Sequence, residues 1–333
     1  MNFNKVFENM MQSNQLDTVI LLAHRNPDGD AAGSVLGLAH YIKDVYPQYI
    51  VLPYLSELLD KGPKMLAVED EVFCPFDEPQ AERYGVIVCD TATKARIIGE
   101  EYFDQATASI VIDHHAANEG YGEVNEVKIS EACAENLYYA LDWESWKKCR
   151  EEKQKENHPN AADYIYMGLM HDTGRFTRAS VSVMEAALGL MKLGAEHKYV
   201  MKTMQTDTLD DLLHRGKLFS LAKKALQGQV AYVFLTKEEC EKYEFCYEDI
   251  HPISGFLRDC EDVQMAFTIF EEEPGIWRGS FRSDGKWINV NELMKPFGGG
   301  GHAAAAGLRK KTDQPEKLLE DILDKIEQMR QNL

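Results

Sequence analysis

The sequence is poor in basic residues relative to acidic ones. Its 333 residues include 36 lysines and arginines against 55 aspartates and glutamates, giving a formal net charge of −19. Binding of duplex nucleic acid needs a basic face that neutralises phosphates, so this composition argues against a duplex-binding protein. A local site can oppose the overall sign, and the charge therefore leaves room for a small anionic substrate.

Several kinds of segment are also lacking. The first residues show no basic region followed by an apolar core and a small-residue cleavage site, and no apolar run is long enough for a transmembrane helix. The seven cysteines are scattered and form no CxxC pair, which is typical of reduced thiols rather than of disulfides or a cysteine zinc site. These absences predict a cytoplasmic protein that does not bind membranes.

The first half of the chain alternates apolar runs with helical patterns. Three short apolar runs are typical of buried strands: residues 18–23, 84–90 and 108–113. Apolar residues recur at helical spacing after Ala31 and again over 131–141 and 161–171. Strands that alternate with helices predict an α/β fold with a doubly wound, mostly parallel sheet.

The pattern changes in the second half. Residues 196–228 carry few turn signals and are predicted to form a helical linker. Strand patterns at 229–236, 263–272 and 277–283, and a helix from Pro315, predict a smaller α+β domain. The predicted organisation is an α/β domain over 1–195, the linker over 196–228, and a smaller α+β domain over 229–333. The charged stretch 142–160 is predicted to be a solvated helix end and loop.

Acidic and imidazole side chains follow the ends of the apolar runs. They are His24, Asp28 and Asp30 after the first run, Asp90 after the second, Asp113, His114 and His115 after the third, and Asp172 at the end of a helical pattern. Because ligands of open parallel sheets bind beyond the carboxyl ends of the strands, we expect these residues to converge. Carboxylate and imidazole donors without thiolate suit Mn²⁺, Mg²⁺, Fe²⁺ or Zn²⁺. Two such ions sharing a carboxylate are an established device for phosphoryl displacement.

Each acidic residue also has a simpler interpretation. Asp30 could cap the following helix, Asp28 could belong to a turn, Asp90 could cap the next segment of the chain, and Asp172 could end a helix. Four independent caps explain the pattern less well than one shared metal site. Two divalent ions would also offset the four negative charges. The remaining histidines have no comparable cluster of candidate ligands around them and are predicted to be surface or satisfied polar residues: His40, His158, His171, His197, His214 and His251.

A run of four glycines stands near the end of the chain, in GGGGHAAAAG at 298–307. Consecutive glycines can leave backbone N–H groups open to an anion, although such a run also suits a flexible loop. His302 and the small residues after it could open a helix, whose first turn favours anions. Upstream, Arg282 could clamp a phosphate with its planar fork. We therefore predict an anion site here.

Taken together, these motifs resemble a known family. HRNPDGDAAGS, VIVCDTAT, VIDHHAAN and MHDTGRF resemble four successive motifs of the DHH phosphoesterases, and INVNELMKPFGGGGHAAAAG resembles the signature of the DHHA1 domain. The match spans nearly the whole chain. It is most similar to the short two-domain type, the nanoRNases that also act as phosphatases of 3′-phosphoadenosine-5′-phosphate (pAp).

The resemblance implies a role for each site residue. His24 and Asp28 would bind one ion, Asp30, His114 and Asp172 the other, and Asp90 would bridge both and be essential for catalysis. Asp113 would orient its neighbours by hydrogen bonding, and His115 would act beside the reacting phosphate. Arg282, Gly299, Gly300 and His302 would hold the distal part of the substrate. Mn²⁺ is the metal that the family usually carries, with Mg²⁺ or another divalent ion as alternatives.

The implied function is a metal-dependent hydrolase in which two ions activate a water. Its substrates would be very short single-stranded RNA fragments, releasing nucleoside monophosphates, and pAp, releasing AMP. Alternatives in the same class are hydrolysis of linear or cyclic dinucleotides and of short polyphosphates. A different class is a non-catalytic nucleotide and metal sensor. A homodimer is compatible with the sequence, since dimers are common among soluble enzymes.

Overall fold

The computed structural model describes residues 2–55, 82–155, 157–204 and 208–331. The chain divides into two compact units, Met1–Thr206 and Asp207–Leu333. The division falls inside the stretch predicted to be a linker. No helix among the described residues is both long and apolar enough to cross a membrane. The six cysteines in these ranges are free thiols, and Cys74 lies outside the described residues.

Unit 1 is built on a five-stranded parallel sheet, which confirms the predicted fold class. Its strands are β1 (Thr18–Leu22), β2 (Ile50–Pro53), β3 (Gly85–Cys89), β4 (Ala108–Asp113) and β5 (Val124–Val127). Their spatial order is β2-β1-β3-β4-β5, and every neighbouring pair is parallel. Strands β1 and β3 are buried along their whole length, because helices cover both faces of such a sheet.

Helices surround this sheet. They are α1 (Phe3–Ser13), α2 (Gly29–Val45), α3 (Glu100–Gln105), α4 (Cys133–Ala140), α5 (Trp143–Glu152), α6 (Ala161–Asp172), α7 (Val181–Lys192) and α8 (His197–Met204), with a 3₁₀ turn at Lys94–Arg96. Helices α2 and α6 pack closely through glycines. A Cβ on Gly33 would lie 2.5 Å from the Tyr164 carbonyl oxygen, and one on Gly168 would lie 2.8 Å from Asp30 Oδ1. Small residues therefore bring the start of α2 against the end of α6.

The charged stretch 142–160 differs from its prediction. Ten of its residues form α5, in which Trp143, Trp146 and Arg150 are buried. Asp44 of α2 accepts hydrogen bonds from Trp146 Nε1 at 3.1 Å and from Arg150 Nη1 at 3.3 Å. The solvated interpretation is wrong for this face of the helix, because charged residues spaced around two tryptophans mask an apolar stripe in the composition.

Unit 2 contains a six-stranded mixed sheet. Its strands are β6 (Lys223–Ala225), β7 (Val230–Leu235), β8 (Met265–Glu273), β9 (Ile276–Ser283), β10 (Gly300–Gly301) and β11 (Ala305–Lys311), in the order β10-β11-β9-β8-β7-β6. Its helices are α9 (Leu209–Phe219), α10 (Lys237–Lys242), α11 (Tyr247–Ile250), α12 (Ile253–Arg258), α13 (Val290–Met294) and α14 (Pro315–Gln331), with 3₁₀ turns at Leu226–Gly228 and Lys295–Phe297. The helical pattern of 196–228 thus ends at Phe219, and β6 then pairs with β7.

Candidate metal centre and anion pocket

The acidic cluster of unit 1 lies where the strand order reverses. The chain runs from β1 to β2 on one side of β1 and then to β3 on its other side. A crevice therefore opens beyond the carboxyl ends of β1 and β3. His24 and Asp28 follow β1, and Asp90 follows β3 directly. The topology therefore brings these side chains to one edge of the sheet.

Asp90 stands at the centre of the cluster. It is only 2% exposed, and its backbone has a φ of 50°, which is uncommon for a residue other than glycine. Its Oδ2 lies 3.6 Å from His24 Nε2, and its Oδ1 lies 3.3 Å from His114 Nε2. Burial acts to raise the pKa of Asp90, but the neighbouring imidazoles of His114 and His24 outweigh it and hold the pKa below its ordinary value.

Both histidines are held through their other ring nitrogen. His24 Nδ1 lies 2.9 Å from the Arg25 carbonyl oxygen, and His114 Nδ1 lies 3.2 Å from the Ser130 carbonyl oxygen. Because a carbonyl only accepts, Nδ1 carries the proton in each ring and donates it. Nε2 is then directed at Asp90, as is typical of histidines that bind metal ions.

Asp28 and Asp30 are fixed by backbone amides at two helix starts. Asp28 is the N-cap of α2 and accepts from the N–H groups of Asp30 and Ala31, so the capping role considered for Asp30 belongs to Asp28. Asp30 is fully buried and accepts from the N–H groups of Cys133 at 2.5 Å and Ala134 at 3.0 Å, at the start of α4. Burial, and then the charge of Asp90, raise the pKa of Asp30 well above its ordinary value.

The structure brings together two groups of donors, which are linked by the contact between His114 and Asp90. Ligand atoms of His24, Asp28 and Asp90 lie within 4.8 Å of one another, as do those of Asp30, His114 and Asp172. His114 Nε2 connects the groups, lying 3.3 Å from Asp90 Oδ1 and 3.7 Å from Asp172 Oδ2. Asp90 Oδ1 is buried and has no hydrogen-bond partner within the described residues. Four carboxylates and two imidazoles in this arrangement fit divalent cations.

Asp113 lies behind the cluster rather than in it. It is fully buried, and its Oδ1 accepts from His115 Nδ1 at 2.9 Å. Its Oδ2 accepts from Asn118 Nδ2 at 2.8 Å, and the same amide donates to the Thr91 carbonyl at 3.1 Å. Sequence analysis missed Asn118, which ties the loop after β3 to the loop after β4.

His171 was also missed as a candidate ligand. The prediction that it has no comparable cluster of candidate ligands around it is wrong. Its Nδ1 lies 3.2 Å from Asp172 Oδ1, and its ligand atom lies within 4.8 Å of those of Asp28 and Asp172. The signal was present in the sequence, since His171 directly precedes Asp172 at the end of α6. A position next to a predicted ligand on a helix end deserves the same weight as the ligand.

Unit 2 contains a separate basic pocket of about 650 Å³. Arg278, Ser280 and Arg282 line it from β9, because alternate residues of a strand share one face. Arg309 lines it from β11, where it pairs with Arg278. Arg282 is half-buried, its Nη1 donates to the Phe281 carbonyl at 3.0 Å, and burial lowers its pKa. Arg282 is thus joined by two further arginines that sequence analysis missed.

Internal ion pairs hold these arginines in place. Glu272 accepts from Arg278 Nη1 at 2.6 Å and from Arg309 Nε at 2.9 Å. The Arg278 guanidinium lies 3.8 Å from the centre of the Tyr247 ring. His251 also lines the pocket, although it was predicted to be a surface or satisfied residue. The pocket therefore presents positive charge and an aromatic edge.

The glycine run forms a β-hairpin. Gly300–Gly301 pair antiparallel with Ala306 and Gly307, and the turn closes with a 2.7 Å hydrogen bond from His302 N to the Ala305 carbonyl. The predicted helix after His302 is wrong, because the alanines continue as β11 paired with β9. The N–H groups of Gly298, Gly299 and Gly301 donate within unit 2, so the predicted open nest is also wrong. Gly299 and Gly300 line the pocket, whereas His302 is exposed and does not.

Comparison with known protein families identifies the class. Residues 18–169 match the model of the DHH family, N-terminal domain, and residues 216–331 match the model of the DHHA1 domain. The chain therefore carries a DHH-family N-terminal domain followed by a DHHA1 domain. This confirms the resemblance seen in the motifs.

Individual proteins and one solved structure are also similar to this chain. The chain is similar to the bifunctional oligoribonuclease and PAP phosphatase NrnA of Bacillus subtilis (strain 168), with 29% identity over 92% of this chain and 94% of that protein. It is also 27% identical to the cyclic-di-AMP phosphodiesterase PdeA of Listeria monocytogenes, over 89% of this chain but only 45% of PdeA. A crystal structure of an exopolyphosphatase-related protein from Bacteroides fragilis shares the fold, with a TM-score of 0.77, 23% identity, and coverage of 99% of this chain and 96% of that one.

Proposed function

We propose that this protein hydrolyses very short oligoribonucleotides to nucleoside monophosphates, and pAp to AMP and phosphate. The observation that carries the proposal is the Asp90-centred cluster, in which carboxylates and imidazoles meet at the crevice of a parallel sheet. The relative named for both activities is similar over 92% of this chain.

In this proposal the cluster holds two divalent ions. His24 and Asp28 would hold one, Asp30, His114 and Asp172 would hold the other, and Asp90 would contribute to both. The family implies a divalent metal, and we propose Mn²⁺, with Mg²⁺ as the main alternative. When bound, such ions supply an activated water and spread the charge that develops on phosphorus.

The protein's own side chains have separate tasks. Asp113 accepts from His115 Nδ1 at 2.9 Å, which fixes the ring, and the imidazolium form of His115 can donate from Nε2 to an oxygen of the reacting phosphate. Arg282, Gly299 and Gly300 hold the distal part of the substrate in the pocket of unit 2, and His302 adds a contact from the hairpin turn. Holding the substrate in place converts binding energy into a lower barrier.

A second candidate is hydrolysis of cyclic dinucleotides. The similarity to PdeA supports it, since 89% of this chain aligns with that phosphodiesterase. Cyclic dinucleotides present the same phosphodiester bond but no terminal phosphate. The two candidates therefore differ in what the basic pocket has to recognise.

A substrate panel tests both candidates. The full-length protein is incubated with Mn²⁺ and, in separate reactions, with a 5′-labelled diribonucleotide, pAp, a cyclic dinucleotide or a short polyphosphate. The products measured are nucleoside monophosphate from the diribonucleotide, AMP and phosphate from pAp, linear dinucleotide or monophosphate from the cyclic dinucleotide, and phosphate from the polyphosphate. We expect turnover of the diribonucleotide and pAp. Faster turnover of the cyclic dinucleotide would favour the second candidate, and no turnover of any substrate would favour a non-catalytic sensor.

A further inference from the structure

We propose that His171 is an additional metal ligand of the Asp90-centred cluster, acting with Asp28 and Asp172, and that it makes the centre favour ions that bind imidazole well. The proposal rests on the proposed function, because it concerns the same metal centre. It concerns a residue outside the six ligands that the family motifs supply.

The position of His171 parallels that of the two motif histidines. His24 and His114 approach Asp90 with nitrogen–oxygen distances of 3.6 and 3.3 Å. His171 approaches Asp172 with the same kind of contact, at 3.2 Å. Its ligand atom also lies within 4.8 Å of that of Asp28. His24 and His114 use Nε2 and His171 uses Nδ1, but all three imidazoles contact carboxylates of one cluster.

Space for the His171 ring is provided by the first residue of α2. A Cβ on Gly29 would lie 2.5 Å from Cδ2 and 2.6 Å from Cγ of His171. Any side chain at this position would displace the ring from the side of Asp28. The Cβ of His171 would also lie 2.7 Å from that added Cβ, so the glycine makes room for the whole residue and lets its ring lie beside Asp28.

A simpler explanation is that His171 stabilises the end of α6. A cation in the last turn of a helix interacts favourably with the helix dipole, and the contact with Asp172 could merely orient that carboxylate. The two explanations differ in metal preference. An imidazole ligand favours Co²⁺ or Zn²⁺ over Mg²⁺, which prefers oxygen, whereas loss of an orienting contact weakens all ions alike.

The test measures metal binding without substrate. Metal-free full-length protein is titrated with Co²⁺ and with Mg²⁺, and His171→Gln is compared with the wild type. We expect the Co²⁺ Kd to rise about 10- to 100-fold, the range seen when groups that support a metal site are lost, with a change in the Co²⁺ visible spectrum. We expect the Mg²⁺ Kd to change by less than about threefold.

A matched control variant distinguishes a specific effect of His171 from a general effect of replacing a histidine. His40→Gln makes the same chemical change on α2, where the ring packs against Tyr164 at 5.0 Å, and should leave both affinities unchanged. Equal weakening of Co²⁺ and Mg²⁺ in His171→Gln, or no weakening, would overturn the proposal. Substrate turnover of the wild type is measured separately, so failure of the proposed function shows as normal metal binding without hydrolysis.

A second pair of variants covers the case in which the glutamine disturbs α6. Gly29→Ala should weaken Co²⁺ binding by pushing the ring away. In a His171→Ala background the same change should weaken Co²⁺ binding much less, because only the contact with the Cβ at 2.7 Å remains. Additive losses would mean that Gly29 acts through its neighbours Asp28 and Asp30, and would contradict the proposal.

Discussion

The two sites of this protein carry charge of opposite sign. In the cluster of unit 1, Asp28, Asp30, Asp90 and Asp172 contact histidines and backbone N–H groups, and the structure gives none of them an ion pair with lysine or arginine within the described residues. In the pocket of unit 2, Arg278 and Arg309 are already paired with Glu272. Cations bound at the first site would offset its negative charge, whereas the second site is partly balanced before any ligand arrives.

The largest effect is expected from Asp90→Asn. The change keeps the size of the side chain but removes the charge that both proposed ions share, so we expect turnover to fall by about 10³-fold or more on every substrate, an effect of about 4 kcal/mol. Steady-state kinetics with Mn²⁺ and Mg²⁺ measure it. Near-normal activity would remove Asp90 from the bridging role.

Metal removal should destabilise the protein through unit 1. Ions at a hundred times their Kd add about 2.7 kcal/mol of stability, so chelation should lower the melting temperature by about 5–10 °C in a unit of this size. Thermal unfolding with and without Mn²⁺ measures the shift. Asp90→Asn should show a much smaller one, and an equal shift in that variant would place the stabilising ion elsewhere.

A smaller effect is expected from Arg282→Lys. Lysine keeps the positive charge but loses the fork that binds two phosphate oxygens, so we expect KM to rise about tenfold, or about 1.4 kcal/mol, with a smaller change in kcat. The Mn²⁺-dependent melting shift should stay intact, because Arg282 belongs to the other site. Loss of the Mn²⁺-dependent melting shift in Arg282→Lys would contradict the view that the two sites act independently.

The smallest effect is expected from Glu272→Gln. Removing this charge leaves Arg278 and Arg309 without their shared carboxylate, and the pocket becomes more positive. Because the pairs are partly exposed, we expect KM for pAp to fall only about two- to fivefold at low salt, and less at high salt. A higher KM would mean that Glu272 mainly positions the arginines.

Much of the first site could be predicted from its residues. The apolar runs that end in Asp90 and Asp113 identified parallel strands, and parallel strands place their carboxyl ends together. His171 and Asn118 escaped because their contacts depend on how α6 meets α2 and on how two loops lie side by side. The α5 helix was misjudged because its tryptophans are hidden among charged residues.

The second site was harder to predict, since a glycine run allows several backbone conformations. The sequence pointed to the glycines and Arg282 as site residues. It predicted an anion-binding nest followed by a helix, whereas the chain forms a β-hairpin whose second strand pairs with β9. Local pattern determined the fold class, the order of the elements and the donor types of the metal centre. Tertiary structure alone decided which N–H groups are occupied, which arginines share a face with Arg282, and that His171 joins the cluster, because these depend on contacts between distant segments.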